Sequence, residues 1–509
     1  MLLVHPPASR PCEPPPGLAR LSGALTARGV AHEVIDANIE GPLHLAGSTC
    51  KRRDTWTVRA KKNLERNLSF LRSPEGCRTF DRYSRAVRDV ERAVAAASGG
   101  GFRISLADMT QETLSPLRST DLLLAAEHPD GNPFCEYFAP RLREAIARAS
   151  GDVAGFSINY LGQAFTAFAM MGFLRREFPR LRIVAGGGLI TSWMSRIDLG
   201  ARFSGLVNRF VAGPGEVAVL GLSGVEPDGE TRHAAPAYDR FPLEDYVAPG
   251  LILAYATSTG CFWGRCRFCP ERAEENAYTP VPLDLVKDQL RGLVSRHVPA
   301  VVHFTDNALP AAVLRHLSKE PPGAPWYGFA RVTEELADPG FCRLLAASGC
   351  AMLKLGLESG SDRVLDAMQK GFDTALSLRV LKALRDAGVP VYAYLLFGTP
   401  YETEEDADRT LKFAAEHSDC ISFLNLAVFN LPTKSPDADR LKTRQFYGGD
   451  LSLYLDFEHP GGWDRRRIKV FLDRRFRRHT AIAPILRRDP PIFTSNHAAF
   501  FGGRDGEAT

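Results

Sequence analysis

No apolar run in these 509 residues approaches the roughly 18 needed to cross a bilayer. No membrane-spanning helix is therefore expected. The start, Met1-Leu2-Leu3-Val4-His5-Pro6-Pro7, lacks a basic n-region, and its apolar stretch is too short for a signal peptide. An excess of one charge is also missing. There are 63 Lys plus Arg against 59 Asp plus Glu, a net +4, which argues neither for nor against a polyanionic partner. Cysteine is sparse: ten residues, of which only three are clustered. In a large chain without an export signal that pattern reads as metal binding or catalysis rather than disulfides, in reducing cytoplasm. Cys12, Cys50, Cys77, Cys135, Cys342, Cys350 and Cys420 are expected to be small buried apolar residues. No G-x-G-x-x-G opens a helix after the first strand and there is no Walker lysine. An ordinary dinucleotide or ATP site is therefore not expected.

The chain is too long for one core, and two or three domains are expected. The N-terminal part, 1–235, begins strand–helix–strand: Leu2-Leu3-Val4, a helix from Leu18 closed by Gly29, then Ala31 to Asp36. That is the start of a parallel α/β sheet. A polar, basic and mostly helical insertion follows at about 45–150, with Val87, Val90 and Val94 as one apolar stripe. The sheet resumes at Val153–Ile158, and two later strands run into Gly186-Gly187-Gly188 and Gly213-Pro214-Gly215-Glu216. Bare backbone at the carboxyl edge of such a sheet lets a phosphate or a flat ring approach closely; equally, these glycines make tight turns.

From 236 to 450 strands and helices alternate regularly, giving six βα-type units. Six are too few to close an eight-stranded barrel, so an open partial barrel is expected. The first strand runs into Gly260-Cys261-Phe262-Trp263-Gly264-Arg265-Cys266-Arg267-Phe268-Cys269-Pro270, a C-x4-C-x2-C loop. Later strand ends carry Asp306 and Asn307, Arg331, Glu358, Gly398 and Asn425. Chemistry in barrels sits at these carboxyl ends. Three convergent thiolates bind a soft metal centre. A structural zinc site wants a fourth protein ligand; no second knuckle follows, and Cys342, Cys350 and His303 are the conceivable completions. An iron–sulfur cluster on three thiolates leaves one iron open to a substrate or cofactor.

The cysteine loop, with Phe268 before its third cysteine, resembles the radical S-adenosylmethionine superfamily in a variant with one extra residue in the first gap. Gly356-Leu357-Glu358-Ser359-Gly360-Ser361 with Lys370-Gly371, Leu395 to Thr403, and Phe304 to Asn307 resemble its other strand-end signatures. The resemblance covers about 245–430. It implies a [4Fe–4S] cluster on Cys261, Cys266 and Cys269, with S-adenosylmethionine on the open iron as the source of a 5′-deoxyadenosyl radical. It further implies that Phe268 packs near the adenine, Asp306 and Asn307 meet the methionine amino group, and Arg331 meets its carboxylate. Glu358 would bind the ribose, Gly398 allow close approach, and Asn425 read the adenine edge.

The N-terminal half resembles the cobalamin-binding domain of one class in that superfamily. Ser157, Gln163, Gly186, Gly187, Gly188, Gly213 and Glu216 fall in the matching segments. The D-x-H-x-x-G motif of some cobalamin proteins is absent. The fold class implied is α/β: a Rossmann-like parallel sheet (1–235), a partial (β/α)6 barrel (236–450) and a small helical extension (451–509). The activity implied is methyl transfer to, or rearrangement of, an unactivated carbon. The competing readings are a radical enzyme whose N-terminal domain binds substrate without cobalamin, and a non-catalytic iron–sulfur or zinc protein. The expected partners are a peptide or small-metabolite substrate and an electron donor such as a flavodoxin or ferredoxin, with neither membrane nor nucleic acid. Arg465 to Arg478 forms a basic amphipathic helix, read either as an anion grip or as a docked helix with a solvated arginine face. Residues 491–497 are expected to close over the barrel mouth.

Overall fold

The computed structural model describes residues 1–49, 54–149, 151–228 and 231–502. The chain forms two compact units, 1–251 with 447–453, and 252–446 with 454–509.

In the first unit β1 (Leu2–His5), α1 (Pro16–Ala27) and β2 (Glu33–Asp36) open the chain. The insertion holds α2 (Ala37–Gly47), α3 (Thr55–Lys62), α4 (Leu64–Leu71), α5 (Phe80–Ala95), a hairpin of β3 (Phe102–Ile104) and β4 (Met109–Gln111), α6 (Ser119–Glu127) and α7 (Cys135–Arg148). Then come β5 (Val153–Ser157), α8 (Leu161–Glu177), β6 (Arg182–Gly186), α9 (Gly188–Met194), α10 (Leu199–Arg202), β7 (Arg209–Phe210) and α11 (Glu216–Leu222). The five strands pair parallel in the order β2-β1-β5-β6-β7. The order reverses between β1 and β5, which is where open α/β sheets form their binding crevice. The core is built on α8, buried from Gly162 to Leu174; an apolar helix of this kind can only sit inside. The insertion is helical, as its periodicity predicts, apart from the β3–β4 hairpin.

The second unit opens with β8 (Ile252–Tyr255), a short β9 (Ser258–Thr259), α12 (Pro270–Ala273) and β10 (Thr279–Pro280), which pairs back on β9. The alternation continues as α13 (Leu283–His297), β11 (Val301–Leu309), α14 (Ala311–Lys319), β12 (Trp326–Ala330), α15 (Pro339–Ala347), β13 (Cys350–Glu358), α16 (Asp362–Ala367), α17 (Thr374–Asp386), β14 (Val391–Phe397), α18 (Glu404–Glu416) and β15 (Phe423–Val428). The six long strands pair parallel in chain order, β8-β11-β12-β13-β14-β15. This is the open partial barrel expected from the count of units. A small sheet of β16 (Leu431–Pro432), β17 (Thr443–Gln445) and β18 (Tyr454–Phe457) follows, then α19 (Arg465–Phe471), a π-turn (Leu472–Phe476), α20 (Ala483–Arg487) and α21 (Thr494–Ala498).

The C-terminal end lies elsewhere than expected. Tyr327 and Tyr392, each second in its strand, donate to Asn496 O (3.1 Å) and Asp489 Oδ1 (2.7 Å). A Cβ on Gly502 would stand 2.7 Å from Pro390, just before β14. Residues 489–502 therefore plug the amino-terminal end of the barrel, not its mouth. The apolar side of the basic helix docks as read: Ile468, Phe471, Leu472 and Phe476 are buried. Of its arginines, Arg467 and Arg475 pair with Glu404, and Arg475 also with Asp408 of α18. Cys12, Cys342, Cys350 and Cys420 are buried, whereas Cys77, closing a short 3-10 turn, and Cys135, opening α7, are half-buried in the insertion. Cys50 lies outside the described residues.

Candidate active site

Cys261, Cys266 and Cys269 are half-buried on the loop leaving β9. The loop is fastened to the segment after α16. Arg267 N donates to Met368 O (3.0 Å), Trp263 Nε1 to Gln369 O (3.1 Å), and Arg272 to the Gln369 side chain (2.6 Å). Arg267 also pairs with the buried Asp437, which accepts from the Tyr401 hydroxyl. The four-residue first gap, unexplained from spacing alone, thus has a structural use. Its Trp263 ring lies 3.9 Å beneath the Arg331 guanidinium. It also packs against Gly371, where an added Cβ would stand 2.4 Å from the indole and φ is +72°.

Cations flank the second cysteine. Burial pushes the Cys266 thiol up, while nearby Lys370 and Arg331 pull it down. The Cys269 thiol is pushed up to about 11 by burial. Burial in turn lowers Arg331, which lies within hydrogen-bonding reach of Cys266 and donates to Lys370 O. Lys370 is 5% exposed; its Nζ pairs with Glu358 Oε1 at 3.1 Å and lies 5.6 Å from the Phe268 ring. Glu358 itself holds φ +62°, an uncommon conformation for a non-glycine residue that aims its side chain back toward Lys370. Sequence reasoning missed Trp263 and Lys370 as site residues. Both stood in quoted motifs, but only the fold brings Lys370-Gly371 against the cysteine loop.

Other expected residues are placed differently. Asp306 is 2% exposed, because β11 runs on to Leu309 and carries it inside. Its carboxylate accepts from Thr257 N (2.9 Å), Thr257 Oγ1 (2.7 Å) and Ser258 Oγ (2.7 Å), which ties β11 to the strand entering the cysteine loop. Asn307 is exposed beside that loop, donating to Gly260 O (3.2 Å). The approach that Gly398 allows is to Ile468: an added Cβ would stand 2.4 Å from Ile468 Cδ1, at φ +84°. Asn425 lies inside β15, opposite Tyr394, rather than beyond its end. A cavity of about 270 Å³ opens at the ends of β14 and β15, with Phe446, Phe457, Trp463, Arg444, Arg465 and Arg466 among its walls.

The first unit gathers Ser157, Gly186, Gly187 and Gly188 at the carboxyl ends of β5 and β6. Much of this edge is internally bonded. Gly188 N donates to Asn159 Oδ1 (2.9 Å) and Gly213 N to Thr191 Oγ1 (2.9 Å). Gln163 is fully buried, accepting from Asn159 N and Tyr160 N and donating to Pro6 O (2.7 Å). Glu216 is buried in an ion pair with Arg20 (2.6 Å). Both side chains are thus bonded within the protein itself. Open space remains around Gly213.

The donor set fits a polynuclear iron–sulfur cluster. Three thiols share one loop, cations stand by to offset thiolate charge, and Trp263, Phe268 and Phe372 wall the region with π faces. Among the described residues no three His, Cys, Asp or Glu side chains are close enough to hold a single metal ion as they stand. Cluster thiolates bind separate iron atoms and need not meet at one point.

Residues 255–414 match the family described as the Radical SAM superfamily. The chain therefore carries a radical SAM domain; that family implies a [4Fe–4S] cluster, S-adenosylmethionine, a substrate and a reductant. Its fold is shared with two solved radical S-adenosylmethionine enzymes that carry cobalamin. The radical S-adenosylmethionine methyltransferase TsrM of Kitasatospora setae, with cobalamin and a [4Fe–4S] cluster bound, superposes over 90% of this chain and 88% of that one, with TM-score 0.53 and 16% identity. The cobalamin-dependent radical enzyme OxsB with aqua-cobalamin bound superposes over 93% and 66%, with TM-score 0.58 and 12% identity. An uncharacterized methyltransferase of Pyrococcus horikoshii is 24% identical over 286 residues, 51% of this chain and 57% of that protein. A tRNA-2-methylthio-N(6)-dimethylallyladenosine synthase of Bordetella petrii is 42% identical over 64 residues, 12% and 13% of the two chains. The chain thus matches little more than half of the first of these curated relatives and a small part of the second. Among the described residues no helix is long and apolar enough to cross a membrane.

Proposed function

We propose that the protein is a cobalamin-dependent radical enzyme that transfers a methyl group to, or rearranges, an unactivated carbon of a small metabolite. The observation that carries this reading is the cysteine loop docked on 368–371 with Arg331, Lys370 and Glu358 beside Cys266. In this reading Cys261, Cys266 and Cys269 hold the cluster. When bound, the cluster and S-adenosylmethionine supply one-electron cleavage of the sulfonium, and a corrinoid supplies a transferable methyl group.

The chain's own residues orient and exclude. Arg331 and Lys370 offset the thiolate charge. Phe268 and Trp263 keep water from the cluster side. Asn307 offers its side chain to the methionine amino end. Glu358, held by Lys370, presents its free oxygen to ribose hydroxyls. Asp306 sets the entry of the cysteine loop. The cavity at β14 and β15 is of small-molecule size, and its mix of aromatic and arginine side chains suits a substrate with an apolar body and an anionic group. The carboxyl edge around Ser157, Gly186–Gly188 and Gly213 would take the corrinoid. A second reading keeps the radical enzyme without corrinoid, and the internal bonding of Gln163 and Glu216 favours it.

Anaerobic reconstitution with iron, sulfide and hydroxocobalamin tests both readings. Iron and sulfide on the wild type, their loss in Cys266→Ala, and 5′-deoxyadenosine formed with reductant and S-adenosylmethionine are the expected results. Product formed without retained corrinoid supports the second reading. A Cys266→Ala protein that keeps a full cluster refutes the ligand assignment.

A further inference from the structure

The insertion carries a cleft of its own, of about 460 Å³, between α3–α4 and α5. One wall carries Arg59, Asn63, Arg66, Asn67 and Phe70, spaced by 4, 3, 1 and 3 residues, a single helical face running through the α3–α4 joint. The other carries Arg82, Arg85 and Asp89, again one face, on α5. The opposite face of α5 is the buried one, with Tyr83, Val87, Val90 and Val94.

The charge in this cleft is one-sided. Four arginines line it against one carboxylate, Asp89, and that group already accepts from Trp56 Nε1 (2.8 Å) and Arg59 (3.4 Å). Among the described residues Arg66 and Arg85 have no carboxylate partner. Arg82 is held with its guanidinium 4.0 Å over the Phe70 ring, an arrangement that fixes the side chain while leaving its charge uncompensated. Asn67 Nδ2 is buried with no acceptor, a donor left unsatisfied at the wall of the cleft. Arg82 and Arg85 stand three apart on one helix, a like-charge spacing that works against the helix on its own. A concave surface of one sign focuses its field inward and concentrates counter-ions. Guanidinium forks match phosphate oxygens in pairs, which a solvated arginine face does not require.

We infer that this cleft binds a small phosphate-bearing molecule, with Arg66 and Arg85 as its principal anchors and Arg59 and Arg82 beside them. The volume holds one small molecule and exceeds what a single inorganic anion fills.

Titration calorimetry on the full chain with pyrophosphate, ADP and adenosine tests this. Saturable one-to-one binding of pyrophosphate or ADP is expected, weakening with added salt, and adenosine should give no heat. Arg66→Ala with Arg85→Ala should weaken binding at least tenfold. Arg66→Lys with Arg85→Lys should fall between, because lysine keeps the charge but not the fork. All four positions are exposed or at the cleft wall, so the variants should keep the wild-type melting temperature and cluster content. Absence of saturable binding by either anion, equal binding of adenosine, or binding unchanged in the double alanine variant overturns the inference. The outcome does not depend on the cluster or on the function proposed above.

Discussion

At the scale of single residues, two positions in the turn after β14 make direct predictions. Glu402 is 1% exposed; its Oε2 accepts from Gly398 N (2.5 Å) and Trp463 Nε1 (2.9 Å), while its Oε1 has no donor. Burial holds its carboxyl up at about 7. The folded state therefore keeps a proton that the unfolded chain has lost. The stabilising contribution is full below the unfolded carboxylate range and disappears as pH rises through about 7. Between pH 4.5 and 8 this accounts for about 3 kcal/mol. Urea melts should show Glu402→Gln with a flatter pH profile than wild type. The difference between the two proteins is the readout, because Asp36 in the first unit is also held at about 7 by burial. Gly398→Ala should cost about 1–2 kcal/mol for the left-handed backbone alone, with more for the collision with Ile468. Adding Ile468→Ala should relieve the collision and leave the backbone cost, which a double-mutant denaturation cycle separates.

At the scale of elements, the cysteine loop and the 368–372 segment act as one piece, joined by backbone hydrogen bonds and by the Trp263–Arg331 stack. The Glu358–Lys370 pair sits at their junction, with side chains 12% and 6% exposed. Removing one partner strands the other charge. Lys370→Ala should therefore destabilise by about 3 kcal/mol and cut 5′-deoxyadenosine formation at least tenfold. Glu358→Gln with Lys370→Met should recover much of the stability and none of the activity. A double variant that regains product would show the pair to be scaffolding only. The strand ends themselves were largely legible in the sequence, since apolar runs closed by polar residues marked β12 and β14 to the residue. The ends of β11 and β15 were not. Asp306 and Asn425 look like loop residues in sequence, yet partners on the neighbouring strands hold them in the sheet.

At the scale of the whole molecule, the chain returns to its first unit late, at 447–453. Asp450 accepts from Ser119 N (2.9 Å) and Ser119 Oγ (2.6 Å) at the start of α6, and Leu451 N donates to Leu117 O (2.9 Å). Asp450→Ala should cost about 1–2 kcal/mol, as loss of a helix-start acceptor does. The loss should appear in the unfolding of the first unit, with iron and sulfide content unchanged. No periodicity marks this return. A seven-residue segment has no pattern of its own, and its placement follows from contacts more than 300 residues away in sequence.

What the sequence determined by itself was local and periodic. Alternating apolar runs and turn residues defined two parallel α/β arrangements, and cysteine spacing defined a three-thiolate loop. These are written in neighbouring residues and survive without knowledge of the fold. What only the tertiary structure decided was which polar groups remain available. Gln163, Glu216 and Asp306 are consumed by partners distant in the chain, Gly398 is filled by Ile468, and the extra residue of the first cysteine gap places Trp263 under Arg331. A side chain's availability depends on every group packed against it, and that set is assembled only when the chain is folded.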